Sequence, residues 1–314
     1  MTNYIKYPDV NRVDFLDYLN SYTDLQQAFG GNVNSARAHW LDCGRFEGRN
    51  IKIKYVDYNL VETYIKENYT NFNNTSQKVN LITSLYDESD PIRRQEYICA
   101  LKLNLQNPLI EKIHIFYEPS LADPEGGTKT YYDDVELISV MEHQKVEVIH
   151  FYERPSFDDL INYSNTKSQG IWMISNADII HTPDIEKIFK INLHNKLLAL
   201  TRWDFVSETE ITPFHAFGKV NTISQDTWIY KTPLHYPESL TRYKLGELAC
   251  DCLVSRDFKQ HNIHVHNPCM DIRTLHLHFQ NSRTQDYSET SQKILETQFN
   301  NVWPTVNVCD VDDI

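Results

Sequence analysis

Several things are scarce in this chain of 314 residues, and each scarcity removes a class of function. No run of about 18 apolar residues occurs, and Met1-Thr2-Asn3-Tyr4-Ile5-Lys6 does not lead into the apolar core of a secretory leader. The expectation is a soluble, cytoplasmic protein with no membrane span, not secreted by the usual route. Positive charge is also short: 30 Lys and Arg face 43 Asp and Glu, for a net −13 with His neutral. That balance leaves no broad basic footprint, so nucleic acid is not expected as a partner. Low-complexity tracts and internal repeats are missing too, which argues against a disordered or solenoid protein. Six cysteines stand mostly alone, and Cys250-Asp251-Cys252 has no second paired step to close a four-ligand zinc site. Reduced thiols are the expectation.

What is present is ordinary globular material, 41% hydrophobic and 23% charged, with room for one large domain and a small one. Residues 1–54 read as a small helical module: Val13, Phe15, Leu16, Tyr18, Leu19, Leu25, Ala28 and Phe29 recur at helical spacing, and a second helix runs through Ala36 and Trp40 to Gly44. A structural appendage or oligomerisation element is the expected role. Residues 55–78 form a helix, Val56 through Asn68, and an Asn-rich linker. From Lys78 the pattern changes to strands alternating with helices, which predicts an α/β domain with a mostly parallel, Rossmann-like sheet flanked by helices. The strands are expected at 79–83, 110–117, 146–151, from 171, 197–201, 227–230 and 263–266, and helices at 93–105, 157–164 and 247–261. The domain is expected to span 79–283, with a closing helix and acidic tail over 284–314.

The run Ile171-Trp172-Met173-Ile174-Ser175-Asn176-Ala177-Asp178-Ile179-Ile180 organises the rest. An apolar strand that breaks at Asn-Ala-Asp delivers a carboxylate to its exit, where open α/β sheets bind ligands. A carboxylate there can hold a hard divalent cation that bridges to substrate phosphates; the alternative is that Asp178 simply ends a strand. Arg93 and Arg94 open a helix and could meet phosphate or lie on a solvated face. Arg154 is a better phosphate or ribose candidate, because Pro155 restricts its backbone. Arg202-Trp203-Asp204 reads either as a sugar-facing loop or as an internal salt bridge. Asp226, in Ser-Gln-Asp-Thr-Trp, heads a strand beside Trp228, an aromatic on which a sugar could stack.

The order of these features resembles the A-type-fold (GT-A) nucleotide-sugar glycosyltransferases of a loosely characterised bacterial and large-DNA-virus group, over roughly residues 79 to 283. The resemblance rests on Asn80-Leu81-Ile82-Thr83-Ser84-Leu85-Tyr86, Arg93-Arg94-Gln95-Glu96, Asn107-Pro108-Leu109, Arg154-Pro155-Ser156-Phe157 and Ser175-Asn176-Ala177-Asp178. It continues through Thr201-Arg202-Trp203-Asp204, Gln225-Asp226-Thr227-Trp228, Cys250-Asp251, Asn267-Pro268 and Thr274-Leu275-His276-Leu277-His278. It implies that Thr83, Ser84, Leu85 and Tyr86 lie along the base and ribose of the nucleotide. It also implies that Asn176, standing where the usual motif has a first Asp, contacts ribose while Asp178 binds Mn2+ or Mg2+. His276 or His278 would add a nitrogen ligand, since residues two apart on a strand share a face. Asp251 would be the general base, with Asp226 an acceptor-binding group or alternative base and Arg202, Trp203, Asp204 and Trp228 on the acceptor side. Ala249-Cys250-Asp251-Cys252-Leu253 departs from the usual Gly-Cys-Asp-Asn-Arg, which puts acceptor handling in question.

The implied activity is metal-assisted, inverting transfer from a UDP- or GDP-sugar to a glycan or protein hydroxyl, in a bacterium or virus-infected cell. Two other classes stay open: a carbohydrate-binding scaffold on the same fold, motivated by Asn176, and a metal-dependent hydrolase or nucleotidyltransferase using His261, His264, His266, His276 and His278. The absence of an H-E-x-x-H pattern weakens the last.

Overall fold

A computed structural model gives the fold and describes residues 13–44, 46–51, 58–68, 76–88, 91–118, 134–167, 169–207, 210–216, 219–277 and 304–314. The N-terminal segment folds as α1 (Phe15–Ser21), α2 (Thr23–Phe29) and α3 (Val33–His39), the last running into a π-turn at Trp40–Gly44. Asp14 and Asn32 cap α1 and α3 through their side chains, satisfying amides that the first turn leaves open. Tyr18, Leu19, Leu25, Ala36 and Trp40 form a core of their own. Gly44 is needed there, because a Cβ would collide with the Tyr18 hydroxyl.

After α4 (Tyr58–Asn68) the α/β domain begins with β1 (Val79–Tyr86), α5 (Pro91–Gln106), β2 (Ile110–Glu118), α6 (Val135–Met141) and β3 (Val146–His150). It continues with α7 (Phe157–Thr166), β4 (Ile171–Ser175), β5 (Ile179–His181), a 3-10 helix Pro183–Lys190, β6 (Lys196–Leu200), β7 (Trp203–Ser207) and β8 (Glu210–Pro213). A small hairpin of β9 (His215–Ala216) and β10 (Lys219–Val220) follows. Then come β11 (Thr227–Lys231), a 3-10 helix Glu238–Arg242, α8 (Cys250–Gln260), β12 (His264–His266) and β13 (Thr274–His276).

Seven strands make the central sheet in the order β12-β6-β11-β4-β1-β2-β3. Only β11 runs antiparallel to its neighbours, so the mostly parallel sheet expected from the sequence is found. Its strands are apolar on both faces because both faces are covered. Trp172 and Ile174 of β4 point to the side of α7 and α8, with Phe157, Leu160 and Phe258; Met173 points to the side of α5 and α6, with Ile98, Leu101 and Val140. Ser156 and Asp159 start α7 with a reciprocal capping box.

A second sheet, β5-β13-β7-β8, lies on the far side of α5. Ile180, Phe205 and Leu275 pack there against Cys99, Ala100 and Leu103 of α5 and Val61 of α4. Asn104 of α5 and Asn107 just beyond its end bond the backbone of β5 at Ile179 and His181. The sequence pattern missed α6, β7 to β10 and the 3-10 segments, and α8 starts three residues later than expected. Most of the closing helix expected over 284–314 lies outside the described residues; residues 304–314 end in a 3-10 turn at Val311–Asp313. All six cysteines are free thiols. Among the described residues no helix is long and apolar enough to cross a membrane.

Candidate functional site

Strand β1 has β2 on one side and β4 on the other, so the sheet order reverses between β1 and β4. Ligands of open α/β sheets bind in the crevice beyond the strand carboxyl ends at such a reversal. Because β11 is antiparallel, its N-terminal end faces the same crevice. Tyr86 from β1, Asn176 and Asp178 after β4, Arg202 after β6 and Asp226 before β11 are thereby brought to one edge.

These groups form a chain of alternating charge. Glu96 accepts from Arg93 at 2.8 Å, and Arg93 reaches Asp178 at 2.9 Å. His276 stands between two carboxylates, with Nε2 at 3.3 Å from Asp178 and Nδ1 at 3.1 Å from Asp204. Arg202 then bonds Asp204 at 3.0 Å and both oxygens of Asp226 at 3.3 Å, and the Asn176 amide donates to Asp226 at 3.0 Å. Register makes the middle of this chain: β13 pairs with β7 so that His276 lies opposite Asp204, and with β5 so that His276 lies opposite Ile179, next to Asp178. Burial opposes ionisation of Asp178, but His276 and Arg93 outweigh it and hold its carboxyl well below the usual range. Asp204 is lowered in the same way, burial being overcome by His276 and Arg202. For His276, burial and Arg202 oppose the charged form, while Asp178 and Asp204 prevail and raise its pKa. A buried network of this kind adds little net stability, yet removing one member strands the others.

Asp251 has the opposite character. It lies in the first turn of α8, where its carboxylate accepts from the Cys252 amide at 2.9 Å and the Gln225 amide at 3.2 Å. Burial first, and then the Asp226 carboxylate nearby, push its pKa up to about 6. The helix is entered through Ala249 at φ 65°, a left-handed conformation costly for a residue with a Cβ and of the kind that clusters at functional sites.

At the exit of β1 two arginines bracket two tyrosines. Arg154 lies over the Tyr86 ring at 5.6 Å, the Tyr86 and Tyr97 hydroxyls are 3.1 Å apart, and Arg93 lies over the Tyr97 ring at 5.2 Å. Thr83, Ser84, Leu85 and Tyr86 sit inside β1, paired with Ile115 to Glu118, so the strand exits beyond them. The Leu85 side chain is in the core and the Thr83 side chain is buried, so at these two positions only the backbone is left to meet a ligand. Only Ser84 and Tyr86 keep partly exposed side chains in this stretch.

The expectation that Trp228 offers a sugar its ring on the acceptor side is corrected. Trp228 is 1% exposed, packed edge-on to Phe157 at 4.8 Å, and has no face for a sugar. Trp203 is only half-buried, with its indole N–H donating to the Cys269 carbonyl at 2.7 Å. Arg202 is in the internal salt bridge that was the alternative reading, and Asn176 is committed to Asp226. Glu96 and Tyr97 were missed; the i,i+3 spacing of Arg93 and Glu96 was the available signal for the first.

A divalent cation finds a poor donor set here. Among the described residues no three His, Cys, Asp or Glu side chains are grouped to hold a metal ion. Both nitrogens of His276 face carboxylates, and one Asp178 oxygen faces Arg93 and His276, so the expected Asp178–His276 ligand pair is already an ion pair. The other Asp178 oxygen, Oδ1, is buried without a hydrogen-bond partner and is a single donor. His278 lies outside the described residues.

No family model matches the chain. No curated protein matches it either. Solved structures do show similarity. TarS of S. aureus is 10% identical over 64% of this chain and 37% of its own, at TM-score 0.40. Glucosyl-3-phosphoglycerate synthase from Mycobacterium tuberculosis, in complex with Mn2+, UDP and glucosyl-3-phosphoglycerate, is 10% identical over 69% of this chain and 75% of its own, at TM-score 0.40. GalNAc-T7 with UDP, GalNAc and Mn2+ is 7% identical over 71% and 49%, at TM-score 0.39. The likeness is loose, this chain spans little more than a third of TarS, and its α/β architecture rests on its own sheet order.

Proposed function

We propose that the chain transfers a sugar from a nucleoside-diphosphate sugar, a UDP- or GDP-sugar, to a hydroxyl of a glycan or protein, with inversion at the sugar. The observation that carries this reading is Asp251, a carboxylate at the crevice whose pKa stands near 6. Such a group is ionised at neutral pH and basic enough to take the proton of an acceptor hydroxyl as its oxygen attacks the anomeric carbon. The bond to the diphosphate breaks on the opposite side, and the leaving oxygen takes the electron pair. Asp226 supports the base by raising its pKa, and Trp203 with the Arg202–Asp204 pair borders the acceptor side. Residues 79–283 would carry the transfer, 55–78 link to them, 1–54 serve as an oligomerisation module, and 284–314 take no part in the chemistry.

The test is release of nucleoside diphosphate from UDP-, GDP- and dTDP-sugars, with release of CMP from CMP-sugars as the comparison. One donor class should be turned over, and Asp251→Asn should lower turnover by about 10²- to 10⁴-fold. Binding of a sugar nucleotide without any turnover would transfer the assignment to a carbohydrate-binding scaffold, a reading favoured by the commitment of Asn176 to Asp226. The hydrolase or nucleotidyltransferase reading has less support, because His261, His264 and His266 join no metal-holding group among the described residues.

A further inference from the structure

The charge around Asp178 is compensated by the protein itself. Glu96, Asp178, Asp204 and Asp226 are interleaved with Arg93, His276 and Arg202, so each carboxylate already has a cationic partner. A dication at Asp178 would sit beside the Arg93 guanidinium, which is 2.9 Å from that carboxylate. Like charges so placed repel, and Asp178 Oδ1 is the single carboxylate oxygen left to hold a cation whose other ligands would be water and substrate phosphate.

The leaving diphosphate nevertheless needs positive charge to receive its electron pair. We propose that Arg93 and Arg154 supply it, forming a two-arginine diphosphate clamp that works without a bound divalent ion. The inference rests on the nucleoside-diphosphate-sugar reading above. The two guanidinium groups flank the Tyr86–Tyr97 pair at the exit of β1, stacked on its rings at 5.6 and 5.2 Å. Arg93 is anchored by the fully buried Glu96 and by Asp178, yet its side chain keeps 26% exposure, so it is fixed in place and still reachable. It lies in the first turn of α5, whose 16 residues begin at Pro91, and the positive end of that helix dipole adds to the same field. Arg154 has no hydrogen bond or ion pair among the described residues and is half-buried over the Tyr86 ring. Planar guanidinium forks suit phosphate oxygens in a bidentate manner, and stacking restricts them to the orientation that binding needs. Asp178 is then a positioning residue that orients Arg93.

The experiment is isothermal titration of the full chain with UDP and with GDP, in EDTA and in Mn2+ or Mg2+. The expected result is binding of one of them with a Kd that changes by less than about threefold between EDTA and metal. Arg154→Ala, which breaks no ion pair, should weaken binding in EDTA by about tenfold at an unchanged melting temperature. Arg93→Lys, which keeps the charge but loses the fork, should weaken it as well; it is preferred to Arg93→Ala, which leaves the buried Glu96 unpaired. Binding that is lost in EDTA and restored by metal, or that is indifferent to both substitutions, overturns the clamp while leaving the transferase reading intact. Failure of every nucleoside diphosphate to bind in either condition overturns both.

Discussion

The two sheets of the α/β domain are held by different physics. The seven-stranded sheet is covered on both faces, and its central residues serve the core: Trp172, Ile174, Met173, Trp228 and Ile229 are all at or below 1% exposure. The four-stranded sheet has a single apolar face, on α5 and α4, and its crevice end carries Asp178, His276 and Asp204. The first sheet therefore fixes the frame, and the second places charge at the carboxyl ends of the first. Stability in the frame comes mainly from burial of apolar side chains; stability at the junction depends on which groups are ionised.

That contrast can be broken most forcefully at its two centres. Trp228→Ala should cost about 3–5 kcal/mol by emptying a filled core position, equally at pH 5 and pH 8 in chemical unfolding, and a variant that folds should show no change in sugar affinity beyond its loss of stability. Asp178→Ala should cost a comparable amount, about 3–5 kcal/mol, by stranding Arg93 and His276. Its cost should depend on pH, because the lowered pKa of Asp178 gives stability that is fully present above the ordinary carboxylate range and is lost progressively as pH falls from that range toward the lowered pKa. Equal penalties for Asp178→Ala at pH 3 and pH 7 would show that the junction is not held by charge. His276 has the opposite sign: its raised pKa gives stability present below about 6.5 and lost as pH rises through the raised value. Hydrogen exchange of β5 and β13 should accordingly be slowest between these limits, while β1 and β4 stay protected throughout.

A smaller effect sharpens the comparison from the other side. Asp251 is an acid with a raised pKa, so its favourable contribution is present below about 4 and is lost as pH rises through about 6. Asp251→Asn should therefore raise the melting temperature by a few degrees at pH 7.5 and leave it nearly unchanged at pH 4, even as it removes turnover. An Asp251→Asn melting temperature below that of the parent at pH 7.5 would mean that the carboxylate is there for structure. The smallest expected effect lies in the N-terminal module, where Arg49→Ala breaks the solvent-screened pair with Asp24 and should leave the melting temperature nearly unchanged.

The frame was legible in the sequence because strands buried on both faces leave continuous apolar runs such as Ile171 to Ser175 and Leu197 to Leu200. The junction was legible only in its parts. Asp178 stood out as a carboxylate at a strand exit, and His276 as one of two His spaced two apart. Their mutual arrangement was not readable, because it depends on the pairing of strands of three to five residues separated by about 70 to 100 positions. An isolated Asp-His pair looks the same on paper whether a metal or an arginine completes it. Trp228 misled for a related reason: its neighbour Asp226 lies at the crevice, but strand pairing with Ile174 and Ala199 turns the indole into the core. Asp251 was found through resemblance, and the nearness of Asp226 that tunes it crosses 25 residues of chain.

The most direct test of the account is the ionisation of Asp251 itself, followed by the carbon-13 shift of its carboxyl across pH, with the signal assigned by its loss in Asp251→Asn. The account predicts a midpoint near 6, moving down in Asp226→Asn as the neighbouring charge is removed. A midpoint at or below about 4, the value of an unperturbed aspartate, would contradict a base poised for transfer in this crevice.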